Sequence, residues 1–136
     1  MKYELLNGSN LSYIGDAYYE LVIRKYLLDK NITKSKELRK ISIEYVSASA
    51  HNKIYEGLKG ELNEEEINIF SRGKNGASHN HRKNVNRHEY SVSSGFEAII
   101  GYLYLKGDNQ RLSYLINKAI MIVENKIWLF MGKIWC

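Results

Sequence analysis

Proline is absent from the 136 residues, and cysteine occurs once, at Cys136. Without proline the strongest interruption of a helix is missing, which favours long helices. A single cysteine excludes an internal disulfide and a cysteine-rich zinc site, and a reducing compartment is the simple inference. Long apolar runs are missing too. No stretch approaches the roughly 18 uninterrupted apolar residues of a membrane span, and Met1 to Gly8 lacks the apolar run of a signal peptide. The expectation is a soluble, cytoplasmic protein with no membrane partner.

What is present fits one helical domain over residues 1–136. The chain is long enough for a sizeable core, and 44% of its residues are hydrophobic. The net charge of +5 and pI of about 9.2 fit a nucleic acid or another anionic surface as partner.

Five helical segments cover most of the chain. The first runs from about Leu11 to Leu28, with Ile14, Ala17, Tyr18, Leu21, Val22 and Leu28 at the spacing of one helix face. The second runs from about Ser35 to Leu58, through Leu38, Ile41, Tyr45 and Ala48, with a break expected near Gly57 and Gly60. The third begins at Asn63, where Glu66 three residues on completes a capping-box pattern, and should stop by Gly73. The fourth spans about Ser93 to Leu105 and ends at Gly107. The fifth spans about Asn109 to Phe130 and has the cleanest apolar period, from Leu112 to Ile127. No alternating strand pattern appears, so the fold class is all-α.

Two acids stand out, each in an apolar, glycine-marked helix: Asp16 after Gly15, and Glu97 between Gly95 and Gly101. A polar helix face would explain Asp16, since Ser12, Asp16, Glu20 and Arg24 follow one another at four-residue steps. The glycines argue against decoration, because glycine inside a helix costs roughly 1 kcal/mol relative to alanine and needs a packing or functional reason. The functional reading is a hard-cation site. Mg²⁺ takes one or two carboxylates, keeps several waters and accepts substrate phosphate, and it can polarise a phosphodiester and activate water for in-line attack.

Between helices three and four, residues 72–91 carry almost no apolar side chain. Arg72, Lys74, Arg82, Lys83 and Arg87 against Glu89 give this segment +4, most of the chain's net +5. A solvated connector is one reading. The other is a phosphate-contacting arm, in which the five bases neutralise phosphates and Asn and Ser side chains, Asn75 among them, add hydrogen bonds. Loops longer than roughly 12–15 residues in compact domains tend to be functional or disordered. His79, His81 and His88 invite a zinc reading, but structural zinc sites usually need four ligands and cysteine is not available.

With these residues in view, Leu11 to Leu28 resembles the first signature helix of the ribonuclease III family through Ile14-Gly15-Asp16. Ser94 to Leu105 resembles the second, through Glu97-Ala-Ile-Ile-Gly101. Arg72-Gly-Lys-Asn75 and Val46-Ser-Ala-Ser-Ala50 resemble the compact bacterial Mini-ribonuclease III branch, and the similarity spans roughly residues 8 to 131. The resemblance implies an all-α endonuclease fold and a homodimer. It implies Mg²⁺-dependent cleavage of double-stranded RNA, with Mn²⁺ able to substitute, and maturation of the 23S ribosomal RNA precursor. Asp16 and Glu97 match the family's catalytic, metal-holding acids. Full-length relatives carry further acids where this chain has Ser12 and Ser94, and a separate double-stranded RNA-binding domain for which this chain has no counterpart. A non-catalytic RNA-binding assembly factor on the same fold is the competing reading.

Overall fold

The computed structural model describes residues 1–77 and 86–125. Among them are six α-helices and no strand: α1 Gly8–Asp29, α2 Ser35–Val46, α3 Ala48–Leu58, α4 Glu64–Gly76, α5 Arg87–Lys106 and α6 Asn109–Glu124. Single 3-10 turns lie at Tyr3–Leu5 and Lys59–Glu61.

Local chemistry sets most boundaries. Asn7 opens α1 by a reciprocal capping box with Asn10, three residues before the expected start. The long second helix divides at Ser47, whose extended backbone ends α2 while its hydroxyl accepts from the Ala50 N–H at 3.1 Å and caps α3. The serine, rather than a glycine, makes the break, because a side chain that satisfies free N–H groups can start a new helix in a new direction. The expected end near Gly57 and Gly60 follows, as α3 gives way to the turn at Lys59–Glu61.

The Asn63–Glu66 capping box forms as the sequence implies, at 2.8 and 3.0 Å. Gly107 ends α5 in the left-handed conformation, with φ of 82°. The third expected helix, here α4, passes Gly73 and continues to Gly76, because Gly73 packs against Ser94 and Ala98 of α5. Helix α5 begins at Arg87, where Asn86 caps the Glu89 N–H. Residues 72–91 are therefore helical at both ends. Arg82, Lys83, His79 and His81 lie outside the described residues, as does the part of the fifth expected helix beyond Asn125.

Helix α5 is the centre of the fold, packed against α1, α3 and α4. Val92, Phe96, Ala98, Ile99, Ile100 and Leu103 are all buried, on several faces of the helix. An element apolar nearly all round belongs inside. Two polar clusters tie the periphery. Buried Glu66 receives Arg111 through both guanidinium donors at 2.8 Å, joining the starts of α4 and α6. The Glu124 carboxylate accepts from Tyr26 and Tyr45 at 2.6 Å each and from Lys30 at 3.3 Å, joining α6 to α1 and α2.

Candidate active site

Helices α1 and α5 cross backbone against backbone. A Cβ placed on Gly15 would lie 2.8 Å from the Gly101 nitrogen and closer still to the Glu97 carbonyl oxygen. A Cβ on Gly101 would lie 2.9 Å from the Ile14 side chain and 3.0 Å from the Gly15 nitrogen. Both positions admit only glycine without moving a helix. This close approach faces the residue after Gly15 toward the residue four before Gly101, and so brings Asp16 and Glu97 together.

The two carboxyls are within hydrogen-bonding reach. Asp16 is exposed and Glu97 half-buried. Glu97 is pushed up to about 10, first by burial and then by the hydrogen bond and charge of Asp16, with a smaller push from Glu20. Glu97 is therefore held in its neutral form.

One turn earlier, Ser12 and Ser94 are also joined. Their hydroxyls lie 2.8 Å apart, and the Ser12 hydroxyl is 2.6 Å from the Ser94 carbonyl and 2.9 Å from that of Gly8. Ser12 has one proton to give, so donating it to a carbonyl leaves the Ser94 hydroxyl to donate to Ser12. Both side chains are buried and satisfied. They staple α1 to α5 beside the carboxyls.

These residues line an open cleft of about 430 Å³, with Ser9, Tyr13, Val46, Ala48, Ala77, Tyr90 and Ser93 completing the wall. Lys74, Asn75, Ala77, Arg87 and Ser91 line a smaller hollow that meets the cleft at Ala77. Thus Lys74, Asn75 and Arg87 line a hollow that adjoins the cleft, whereas Arg72 is turned to donate to the Leu6 carbonyl. His88 is exposed on the first turn of α5. Among the described residues, no group of three or more His, Cys, Asp or Glu side chains is arranged to hold a metal ion.

Sequence reasoning passed over His51. It is 1% exposed, its Nδ1 is 2.7 Å from the hydroxyl of Ser93 on the cleft wall, and its ring packs on Tyr19 and Phe96. Burial lowers its pKa to about 4 against the opposing pull of Asp16, so the ring is neutral. Its place directly after the Val46–Ala50 string was the available signal.

A sequence model described as the ribonuclease III domain matches residues 9–108. A Clostridium tetani protein described as Mini-ribonuclease 3 is 40% identical over 120 residues, covering 88% of this chain and 80% of its own. The chain belongs to the ribonuclease III family. It is an endoribonuclease by that membership, on the Mini-ribonuclease 3 side of the family. An Enterococcus faecalis protein, also described as Mini-ribonuclease 3, is 43% identical over 120 residues, 87% of this chain and 91% of its own. The crystal structure of a Fusobacterium nucleatum protein aligns with a TM-score of 0.74 at 31% identity, covering 85% of this chain and 93% of that one. The all-α ribonuclease III fold expected from the sequence is the fold found. No helix among the described residues is long and apolar enough to cross a membrane.

Proposed function

We propose that this ribonuclease cleaves double-stranded RNA at the Asp16–Glu97 cleft with Mg²⁺ as cofactor, Mn²⁺ being able to substitute. The observation that carries the reading is the carboxyl pair itself, held at hydrogen-bonding reach on the wall of an open cleft. A cation at this place would favour the ionised form of Glu97, which burial and the Asp16 charge oppose. Hard carboxylate oxygens suit Mg²⁺, which takes one or two of them and completes its shell with water and substrate phosphate. When bound, the ion would polarise the scissile phosphodiester and activate water for in-line attack.

The chain's own residues do the rest. Asp16 and Glu97 would hold the cation, and the Gly15–Gly101 crossing with the Ser12–Ser94 link ties the two helices that carry them. Lys74, Asn75 and Arg87 lie where the backbone beside the scissile bond would pass, and Arg72, Arg82 and Lys83 add charge to the same segment. Recognition is by shape and backbone, because the A-form major groove is too deep and narrow for side chains. Likeness to the compact bacterial branch supports a 23S ribosomal RNA precursor as the substrate.

A homodimer would set one cleft against each strand. Of the two apolar stripes able to form it, that of α6 is spent inside the protomer, with Leu112, Leu115, Ile116, Ala119 and Ile120 buried. Helix α1 leaves Tyr13, Ala17 and Leu21 exposed at four-residue steps, Tyr13 at 83% and Leu21 at 64%, and Tyr13 also edges the cleft. Pairing along this stripe would bring two clefts side by side.

The test is incubation of the purified protein with a long RNA duplex and with single-stranded RNA, in Mg²⁺ or in EDTA. Duplex cleavage in Mg²⁺ alone is expected. Duplex cleavage that persists in EDTA, or cleavage of single strands only, would contradict the reading.

A further inference from the structure

Ser9, Ser12, Ser93 and Ser94 all line the cleft. Ser12 and Ser94 spend their hydroxyls on each other and on main-chain carbonyls. Ser93 is placed differently. It stands four residues before Glu97, one turn back on the same face of α5. Among the described residues, the partner of its hydroxyl is Nδ1 of His51, at 2.7 Å.

A serine inside a helix commonly turns its hydroxyl back to the carbonyl four residues earlier. Ser12 does so toward Gly8, and Ser42 toward Leu38. For Ser93 that carbonyl belongs to Glu89, and it already accepts from the Asn52 side-chain amide at 2.9 Å. With the helical N–H as its other donor, both lone pairs of the Glu89 oxygen are occupied. The Ser93 hydroxyl is thus barred from its ordinary acceptor.

His51 decides which way that hydroxyl faces. The ring is buried and packs on Tyr19 and Phe96, with centroids at 5.3 and 4.9 Å, which hold it in place. Its Nε2 is buried without a partner among the described residues. A neutral imidazole carries one N–H. On Nδ1 that hydrogen has the Ser93 oxygen to receive it. On Nε2 it would be a buried donor with no acceptor, which proteins rarely tolerate. His51 therefore donates to Ser93. The proton of Ser93 itself then has no acceptor among the described residues, and the cleft is the side on which Ser93 opens.

As a mere link between α3 and α5, the pair would be a costly choice. Asn52 already ties these helices through the Glu89 carbonyl. An apolar side chain would fill the place of His51 without taking an imidazole out of water.

We infer that the Ser93 hydroxyl donates a hydrogen bond to a nonbridging oxygen of the phosphate that is cleaved beside Glu97, and that His51 is the positioning residue that turns the hydroxyl toward it. This rests on the cleft being the RNA-cleaving site. Negative charge grows on the nonbridging oxygens as water attacks in line, and a donor oriented beforehand favours that state over the bound substrate.

The test compares Ser93→Ala, His51→Leu, His51→Gln and the double variant Ser93→Ala/His51→Leu. Single-turnover cleavage of an RNA duplex is measured in saturating Mg²⁺, duplex affinity in EDTA, and unfolding for each protein. Loss of one donor to a charged oxygen should slow Ser93→Ala roughly 10- to 100-fold, with duplex affinity kept. His51→Leu should be slowed by a similar factor, and the double variant should be no slower than Ser93→Ala alone. His51→Gln, whose amide can still donate, should recover most of the rate. A purely structural His51 would slow the Ser93→Ala enzyme as much as it slows the wild type, and that result would overturn the inference. So would Ser93→Ala cleaving at the wild-type rate, while cleavage by the wild type left the reading of the cleft intact. If His51→Leu does not fold, the other two single variants decide: a slow Ser93→Ala beside a near-normal His51→Gln supports the inference, and a His51→Gln as slow as Ser93→Ala overturns it. A wild type that does not cut duplex would remove the cleft reading, and this inference with it.

Discussion

Replacing Gly15 by alanine sets two rules of helix chemistry against each other. Intrinsic propensity favours the change by roughly 1 kcal/mol, because alanine is the best helix former and glycine among the worst. The α1–α5 crossing opposes it. The new Cβ would sit 2.8 Å from the Gly101 nitrogen and nearer to the Glu97 carbonyl oxygen, both backbone atoms of the most enclosed helix. Ordinary contact needs about 3.5 Å, so α1 and α5 must part by well over 1 Å at the Glu97 carbonyl. Forcing an added methyl into a close-packed site typically costs 1–3 kcal/mol, and here neither neighbour is a side chain that can rotate away. With neither neighbour able to yield, the cost lies at the upper end of that range, and a net destabilisation of about 2 kcal/mol remains once propensity is subtracted, a fall of several degrees in Tm for a domain of this size. The same separation acts on the carboxyls, since Asp16 and Glu97 adjoin the two glycine contacts. A displacement near 1 Å can cost on the order of 100-fold in rate. Urea unfolding gives the first quantity and single-turnover RNA cleavage the second. A Gly15→Ala protein as stable as the wild type, or more so, with an unchanged cleavage rate would refute the account of why these glycines are there.

Three further outcomes follow from the titrating groups. Glu97 is held protonated above its ordinary 4.5, so its contribution to stability is complete below pH 4.5 and is lost as the pH rises toward about 10. In EDTA, the wild type should therefore lose stability across that window relative to Glu97→Gln; parallel thermal-unfolding profiles would contradict this. Added Mg²⁺ should raise the Tm of the wild type more at pH 9 than at pH 6, and should do little for Glu97→Gln, read by the same unfolding assay without any RNA. His51 behaves in the opposite sense. Its folded pKa lies below 6.5, so the stability linked to its neutral form is complete above pH 6.5 and is lost as the pH falls toward 4. With about 1.4 kcal/mol per unit, the loss is of order 3 kcal/mol, and His51→Gln should flatten that acid limb in urea titrations.

The elements most legible in the sequence were those whose cause is local. The Asn63–Glu66 capping box and the Gly107 stop depend on a few adjacent residues, and both form as written. The break at Ser47 was missed because a serine that ends one helix and caps the next resembles an ordinary helix residue until its backbone turns. The helical start of residues 72–91 was missed for a tertiary reason. Gly73, which reads as a stop, is a contact with Ser94 and Ala98 and so lies within the helix.

At the candidate site, Asp16 and Glu97 were legible as two unusual acids, and the resemblance to ribonuclease III joined them. Periodicity alone could not bring together residues 81 positions apart in the chain. Ser12 and Ser94 read as missing acids, yet the fold pairs them with each other.

The most direct measurement of the central claim is the single-turnover rate of duplex RNA cleavage by Asp16→Asn in saturating Mg²⁺, with duplex affinity and unfolding followed in parallel. The substitution keeps the size of the side chain and removes its charge from an exposed position on α1. The account predicts that cleavage is abolished while fold and duplex binding are preserved. Cleavage at the wild-type rate would show that the carboxyl pair at the α1–α5 crossing is not the catalytic centre.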